Sequence, residues 1–442
     1  MPPLMRTLLS AAVGLGFFAL PVRVDGRWTV AFDVAVKTLQ TTSPTAVSLY
    51  ALALVAIGAV CSALALRQGA SPRLAGFRAP LPFVVLRCAG LALAVLLAFD
   101  LAPAWLAAPS TGGLMWGTLV TSVALIVPIG AVALNLLTGY GCLEAAGVIM
   151  RPLMRPLFRL PGRAALDDLT SWLGSYSVGL YLTRRLLDQG RYTRREAFII
   201  ATCFSTVSVG FVGVVASTLD LLSLFPLVFG TYFVVVYLVA VVQVRLWPTT
   251  AIADTHVAPP DPEPEPRGGL LRAALRAASE QARAAPPVST LMARGLVDGA
   301  RLACTILGTI LTVGIAAVLV AEHTPLFAWL GAPIAPVLAA LGLRDAALLA
   351  PAVTAGVTEM YIPALLVKDA SPAGRFFICE LSISQLIFFS SVGPMMLDMF
   401  RDVPIRVRDL LAVFALRTAL LVPLLAGVTA ALQAAGVFDG ME

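Results

Sequence analysis

Charge is what this chain lacks most: 13% of its 442 residues are charged, against 59% hydrophobic ones and a mean hydropathy of +0.90. A soluble domain carries about a quarter of its residues as charges, so that class is excluded. Cysteine is scarce. The six cysteines (Cys61, Cys88, Cys142, Cys203, Cys304, Cys379) form no CxxC pair and lie in or beside apolar runs, which leaves them as small packing residues. The two histidines, His256 and His323, have no companions at metal-ligand spacing. A Walker lysine loop, a nucleophile elbow and HExxH are all missing, as is a polar stretch large enough for an ATPase. The expectation is therefore a non-enzyme without a cofactor, in which coupling to ATP would require another chain.

What is present is a succession of apolar runs, each long enough for a hydrocarbon core of about 30 Å. Nine crossings are expected near Thr7–Val22, Ala46–Leu66, Phe83–Pro103, Met115–Leu137, Glu196–Thr218, Leu224–Val244, Leu302–Ala321, Phe376–Met399 and Leu410–Leu432. The first resembles a signal-peptide core, but no cleavage site leads into a soluble chain, so it reads as a retained span. The net charge of +6 sits in short loops between runs. That is topology information and argues against nucleic acid as a partner.

Two further segments, Ala164–Leu187 and Ala346–Val367, are apolar but awkward as crossings. Arg151, Arg155, Arg159 and Arg163 precede the first, and Arg184, Arg185, Arg191, Arg194 and Arg195 follow it. Basic loops stay cytoplasmic, so both ends belong on one side and the segment returns. Its arms of about 12 residues would reach about 18 Å. The fold expected is an all-α integral membrane protein with about nine transmembrane helices plus two re-entrant hairpins. This puts most of the 31 Lys and Arg inside and leaves Arg417 within a span. The membrane is a bacterial-type inner membrane, with the N-terminus cytoplasmic and the C-terminus outside. The bilayer is then one partner, a small-molecule solute another, and a homo-oligomer is left open.

A shift of 180 residues aligns Pro156 with Pro336, Gly162 with Gly342, Tyr181 with Tyr361, Arg195 with Arg375 and Gly213 with Gly393. The order of elements recurs with it. An odd number of crossings separates corresponding points, so the repeat is inverted, which is how secondary carriers build a midplane site. The domains expected are an N-terminal three-helix scaffold over 1–114, repeat 1 over 115–248 with a hairpin at 164–187 and a broken helix at 196–218, a cytoplasmic linker with an amphipathic helix over 249–289, and repeat 2 over 290–442 with a hairpin at 346–367 and a broken helix at 376–399. The proline-rich part of that linker reads as disordered, and its basic helix as a connector lying on anionic headgroups.

Polar residues at membrane depth mark the candidate site. Ser175, Tyr176 and Ser177 form the first hairpin tip, and Thr202, Ser205, Thr206 and Ser208 sit in the span that follows, where hydroxyls and freed carbonyls suit a sodium ion. For each of these alone, back-bonding to its own helix is the commoner explanation. The second repeat offers Thr358 and Glu359 in its hairpin, then Glu380, Ser384 and Gln385. An idle ionised carboxylate at the centre of a span costs about 2.5–3.5 kcal/mol, which makes the two glutamates candidates for solute recognition or cation coupling. Arg417 is expected to pair structurally with one of them.

The runs Gly174-Ser175-Tyr176-Ser177-Val178-Gly179, Gly190-Arg191-Tyr192-Thr193-Arg194-Arg195-Glu196-Ala197 and Ala201-Thr202-Cys203-Phe204-Ser205-Thr206-Val207-Ser208 resemble the YjiH-like branch of the nucleoside-recognition, or Gate, membrane proteins. Gate domains also resemble the hairpin-bearing core of concentrative nucleoside transporters. The resemblance implies a transport fold, a nucleoside-like solute and sodium or proton coupling, with Glu359, Glu380 and Gln385 as counterparts of the solute-holding residues. The first hairpin departs from that pattern by lacking an acidic tip. A non-transporting sensor or scaffold, and a carrier of amino acids or small peptides, are the alternatives.

Overall fold

A computed structural model describes residues 5–10, 12–13, 21–24, 27–67, 71–109, 111–173, 176–261, 263, 269–389 and 392–439. The expected first span is described only in part, and Ser175, Ser390 and Ser391 lie outside the described residues. The described chain is helical apart from one antiparallel ribbon, in which Pro21–Val24 pairs with Arg27–Val30.

Six helices are long and apolar enough to cross a bilayer: Pro44–Ala65, Leu81–Ala98, Gly113–Ala133, Leu222–Gln243, Val288–Val320 and Val407–Ala434. The chain is a multi-pass integral membrane protein. Two of the nine expected crossings are not continuous helices. The one expected at Glu196–Thr218 runs as Arg194–Ile199, a π-turn Ile200–Phe204, a non-helical 205–208, then Val209–Thr218. Its counterpart runs as Pro372–Ser384, a non-helical 385–388, then Val392–Met399. Both awkward segments are helix pairs, Ala164–Leu173 with Tyr176–Asp188 and Ala346–Ala355 with Ile362–Leu366, and the arms of each pack together. Corresponding elements in the two halves begin about 180 residues apart.

The chain forms two compact units: residues 1–205, 253–312 and 398–403, and residues 206–252, 313–397 and 404–442. In the first, Pro44–Ala65 packs on Leu81–Ala98, which in turn meets the long Val288–His323 helix. That crossing is close because Gly90 has no side chain: a Cβ there would lie 2.1 Å from the Gly308 carbonyl oxygen. In the second, every residue of Pro372–Ser384 from Gly374 onward is buried, enclosed by Phe225–Gln243, Val407–Ala434 and the second helix pair.

The stretch expected to be a disordered tether is, over 253–263 where described, docked on the first unit. Arg191 bonds Asp261 at 2.8 Å, Arg194 donates its backbone N–H to the Thr255 carbonyl at 2.9 Å, and Thr193 bridges His256. Glu263 accepts from the backbone N–H groups of Gly162 and Arg163 at 3.1 and 2.9 Å. Composition suggested a solvated linker, but its acids find the arginines and open donors beside the first hairpin. The basic helix, Leu270–Ala284, packs Ala274, Ala278 and Ala282 on Cys142–Phe158 and leaves Leu270, Leu271 and Leu275 exposed.

Candidate functional site

The first helix pair is anchored at one carboxylate. Asp167, buried in the inner arm, accepts from the Thr183 hydroxyl of the outer arm at 2.7 Å and from the Tyr192 hydroxyl beyond it at 2.5 Å. At the base of the pair Arg191 bonds Glu144 and Asp261, each at 2.8 Å. Burial works against its charge, but these two acids hold the Arg191 guanidinium above its ordinary range. Tyr176 and Ser177, expected at the tip, open the outer arm and are buried.

Of the four hydroxyls expected to hold an ion, Thr202 donates to the Phe198 carbonyl at 2.7 Å, a back-bond within its own helix. Ser205 makes a long contact of 3.5 Å to the Ile200 carbonyl, and Ser208 accepts from the Phe211 N–H at 3.4 Å at the start of the next helix. Thr206 is fully buried. Within the second unit, the open backbone of the break is held by a residue that sequence reasoning missed. Tyr232 of Phe225–Gln243 accepts the Val207 N–H at 2.7 Å. A tyrosine inside an apolar helix was the available signal, since a buried phenol needs a partner.

The second unit brings the other expected residues together. The hairpin turn between Ala355 and Ile362 carries Thr358 and Glu359, and the broken stretch after Ser384 lies against it: Phe389 donates its N–H to the Val357 carbonyl at 2.7 Å. Gln385 also reaches this turn, because a Cβ on Gly356 would sit 1.8 Å from its Oε1. The Gln385 amide nitrogen donates to the Val353 carbonyl at 2.9 Å and to the Thr418 hydroxyl at 3.0 Å. Thr358 donates to the Ala355 carbonyl at 2.7 Å, and the Glu359 carboxylate accepts the Tyr361 N–H, so both are engaged locally.

Glu380 differs. It is fully buried, and neither carboxylate oxygen has a hydrogen-bond partner among the described residues. One helical turn later, the Ser384 hydroxyl is likewise buried and unpartnered, as is the Gln385 carbonyl oxygen. Spacing of four residues sets Glu380 and Ser384 on one helix face, leading to Gln385 at the break. Arg417, expected to neutralise a glutamate, instead donates from Nε to the Ser384 carbonyl at 2.5 Å and from its terminal nitrogen to Gln243 Oε1 at 2.9 Å. Among the described residues neither glutamate has a cationic partner. Arg417 is drawn to the carbonyl freed where the helix ends, an attraction that no sequence pattern encodes.

A patch of fully buried, unsatisfied acceptors beside an interrupted helix can take a cation, a proton or a donor-rich solute. Comparison with known proteins agrees with such a membrane fold. A family model described as Gate, nucleoside recognition, matches residues 120–222, which hold the first helix pair and first broken helix. An uncharacterized protein of Alkalihalophilus pseudofirmus is 30% identical over 439 residues, covering 95% of this chain and 93% of that protein. The sporulation integral membrane protein YlbJ of Bacillus subtilis is 33% identical over 86 residues, 17% of this chain and 21% of its own length. With the full-length relative, the matched model and the helix breaks taken together, the chain belongs to the Gate nucleoside-recognition family of membrane proteins.

Proposed function

We propose that the protein is a secondary active carrier of a small polar solute, nucleoside-like as the first class to test, coupled to sodium or protons and working by alternating access. In this reading the two helix pairs are re-entrant hairpins within repeats of inverted topology. Glu380, with Ser384 and Gln385, is the solute- or cation-binding centre in the second unit, and Glu359 orders the adjoining turn.

The observation that supports this best is the unpartnered Glu380 carboxylate, 0% exposed. An ionised carboxylate at the centre of a span costs about 2.5–3.5 kcal/mol, a cost that a bound cation, proton or donor offsets when it arrives. A residue kept for packing alone would be replaced by an apolar one at a gain in stability. The nucleoside class rests on the family's description and on the amide and hydroxyl groups that accompany Glu380.

The experiment is uptake of labelled nucleosides into proteoliposomes under imposed sodium or proton gradients, with Glu380→Gln beside the native chain. The native protein should concentrate a nucleoside in a manner collapsed by the matching ionophore, and the variant should not. Native-level concentrative uptake by a folded Glu380→Gln protein would remove this site. Binding without flux in the same vesicles would point to a sensor.

A further inference from the structure

A cavity of about 570 Å³ opens in the first unit, and none of its lining residues belongs to the Glu380 centre. Its wall comes from four stretches: the turn around Gly76 and Arg78, residues 181–189 of the outer hairpin arm, residues 298–305 of Val288–His323, and residues 398–402. Six arginines line it, Arg78, Arg87, Arg184, Arg185, Arg301 and Arg401, against the four aspartates 188, 298, 398 and 402.

Three of the arginines are committed. Arg87, buried in Leu81–Ala98, bonds Asp398 and the Ser62 hydroxyl. Arg401 shares Asp398 and donates to the Arg78 carbonyl. Arg184 bonds Asp188 at 2.5 Å, Asp402 at 2.7 Å and the Met399 carbonyl at 2.8 Å. Three cations thus meet three aspartates, which leaves Arg78, Arg185 and Arg301 facing Asp298 alone. Arg185 donates to the neutral Asn135 carbonyl oxygen, and Asp298 is engaged by the Tyr181 phenol. Among the described residues the exposed guanidiniums of Arg78 and Arg301 have no acidic partner.

We propose that this cavity is a binding site for a phosphate group carried by a small solute or a lipid headgroup. The paired arginines and aspartates form a fixed frame, and the guanidiniums that no aspartate pairs among the described residues come from three different elements. Convergent forks of this kind match a tetrahedral dianion rich in acceptor oxygens better than a flat carboxylate. The volume falls within the range of about 300–1,000 Å³ that holds a small organic ligand. Membrane topology accounts for arginines at one end of the spans, but not for their convergence on one concavity. The site shares no residue with the Glu380 centre, so either proposal can fail without the other.

The test uses the full-length protein in nanodiscs of zwitterionic lipid, titrated calorimetrically with inorganic phosphate, AMP and, as the uncharged control, adenosine. Phosphate and AMP should bind, more weakly as salt rises. The double substitution Arg78→Gln, Arg301→Gln, at exposed positions, should weaken both at least about tenfold with the ligand-free melting midpoint unchanged. If the double variant misfolds, Arg301→Gln alone carries the same comparison. In a second arm, native mass spectrometry from phosphatidylglycerol nanodiscs asks whether a retained lipid is lost in the variant, which would assign the phosphate to a headgroup. No phosphate-dependent binding and no retained lipid, or affinities unmoved by the substitutions, would overturn the proposal.

Discussion

The Tyr192 hydroxyl donates to Asp167 Oδ2 at 2.5 Å, and both side chains are buried. The Thr183 hydroxyl occupies the other oxygen at 2.7 Å. One carboxylate therefore joins the inner arm of the first helix pair, its outer arm and the loop that leads to the first broken helix. The arms pack through side chains, and this bond ties the loop that leaves them back to the inner arm.

Removing only the phenolic oxygen tests that role. Tyr192→Phe strands Asp167 Oδ2 in a dry site, a loss of about 1–3 kcal/mol. The thermal midpoint of the purified protein should fall, and adding Asp167→Asn to the variant should recover part of the loss. An unchanged midpoint would show that the contact contributes nothing.

Arg87 and Asp398 form a buried pair drawn from helices 311 positions apart in sequence. Removing one partner leaves a buried charge uncompensated, at a cost of about 3–5 kcal/mol. Asp398→Leu, which leaves the buried Arg87 guanidinium without an acid, should therefore be severely destabilising, and Asp398→Leu combined with Arg87→Met less so. Equal destabilisation in the single and double variants, read by thermal unfolding in detergent, would contradict an ion pair.

Glu380 should behave in the opposite sense. Its oxygens have no described partner, so Glu380→Leu, similar in volume, removes a desolvation cost without breaking a bond. The variant should unfold at a higher temperature, by the equivalent of at least about 1 kcal/mol, while losing solute uptake. Destabilisation on this substitution would assign Glu380 a structural role.

Glu263 accepts from two backbone donors at the entry to the Ala164–Leu173 helix and lies 3.7 Å from the Arg163 guanidinium. Glu263→Ala should cost about 0.5–2 kcal/mol, in the range of a lost helix cap. It should also release the preceding segment, so that limited proteolysis cuts faster within residues 253–261 than in the native protein. Equal cutting rates would mean that the ion pairs of Asp254 and Asp261 hold the segment without it.

Much of the plan was legible because it depends on local composition. Twenty apolar residues in a row can do little but cross a bilayer, and arginines on both flanks of 164–187 mark a segment that turns back. Hydroxyl- and glycine-containing stretches at 202–213 and 382–393 announced the two interruptions, because such residues tolerate a backbone that leaves the helix. The 180-residue shift located corresponding elements for the same reason. Of the nine crossings expected, six are long continuous apolar helices among the described residues, and the two expected to be broken are interrupted helices.

The sequence by itself determined membrane character, the helix pairs and the positions of the breaks, all set within a window of about twenty residues. Tertiary structure alone decided the partners. It gave Arg87 to Asp398, sent Arg417 to the Ser384 carbonyl and Gln243 instead of a glutamate, and docked the acidic linker on the first unit's arginines. It also left Glu380 without a described partner. Each of these outcomes is a competition among charges and open donors distant in the chain. In a medium with little water the winner is whichever arrangement satisfies the most buried polar atoms, and that depends on where every helix lies.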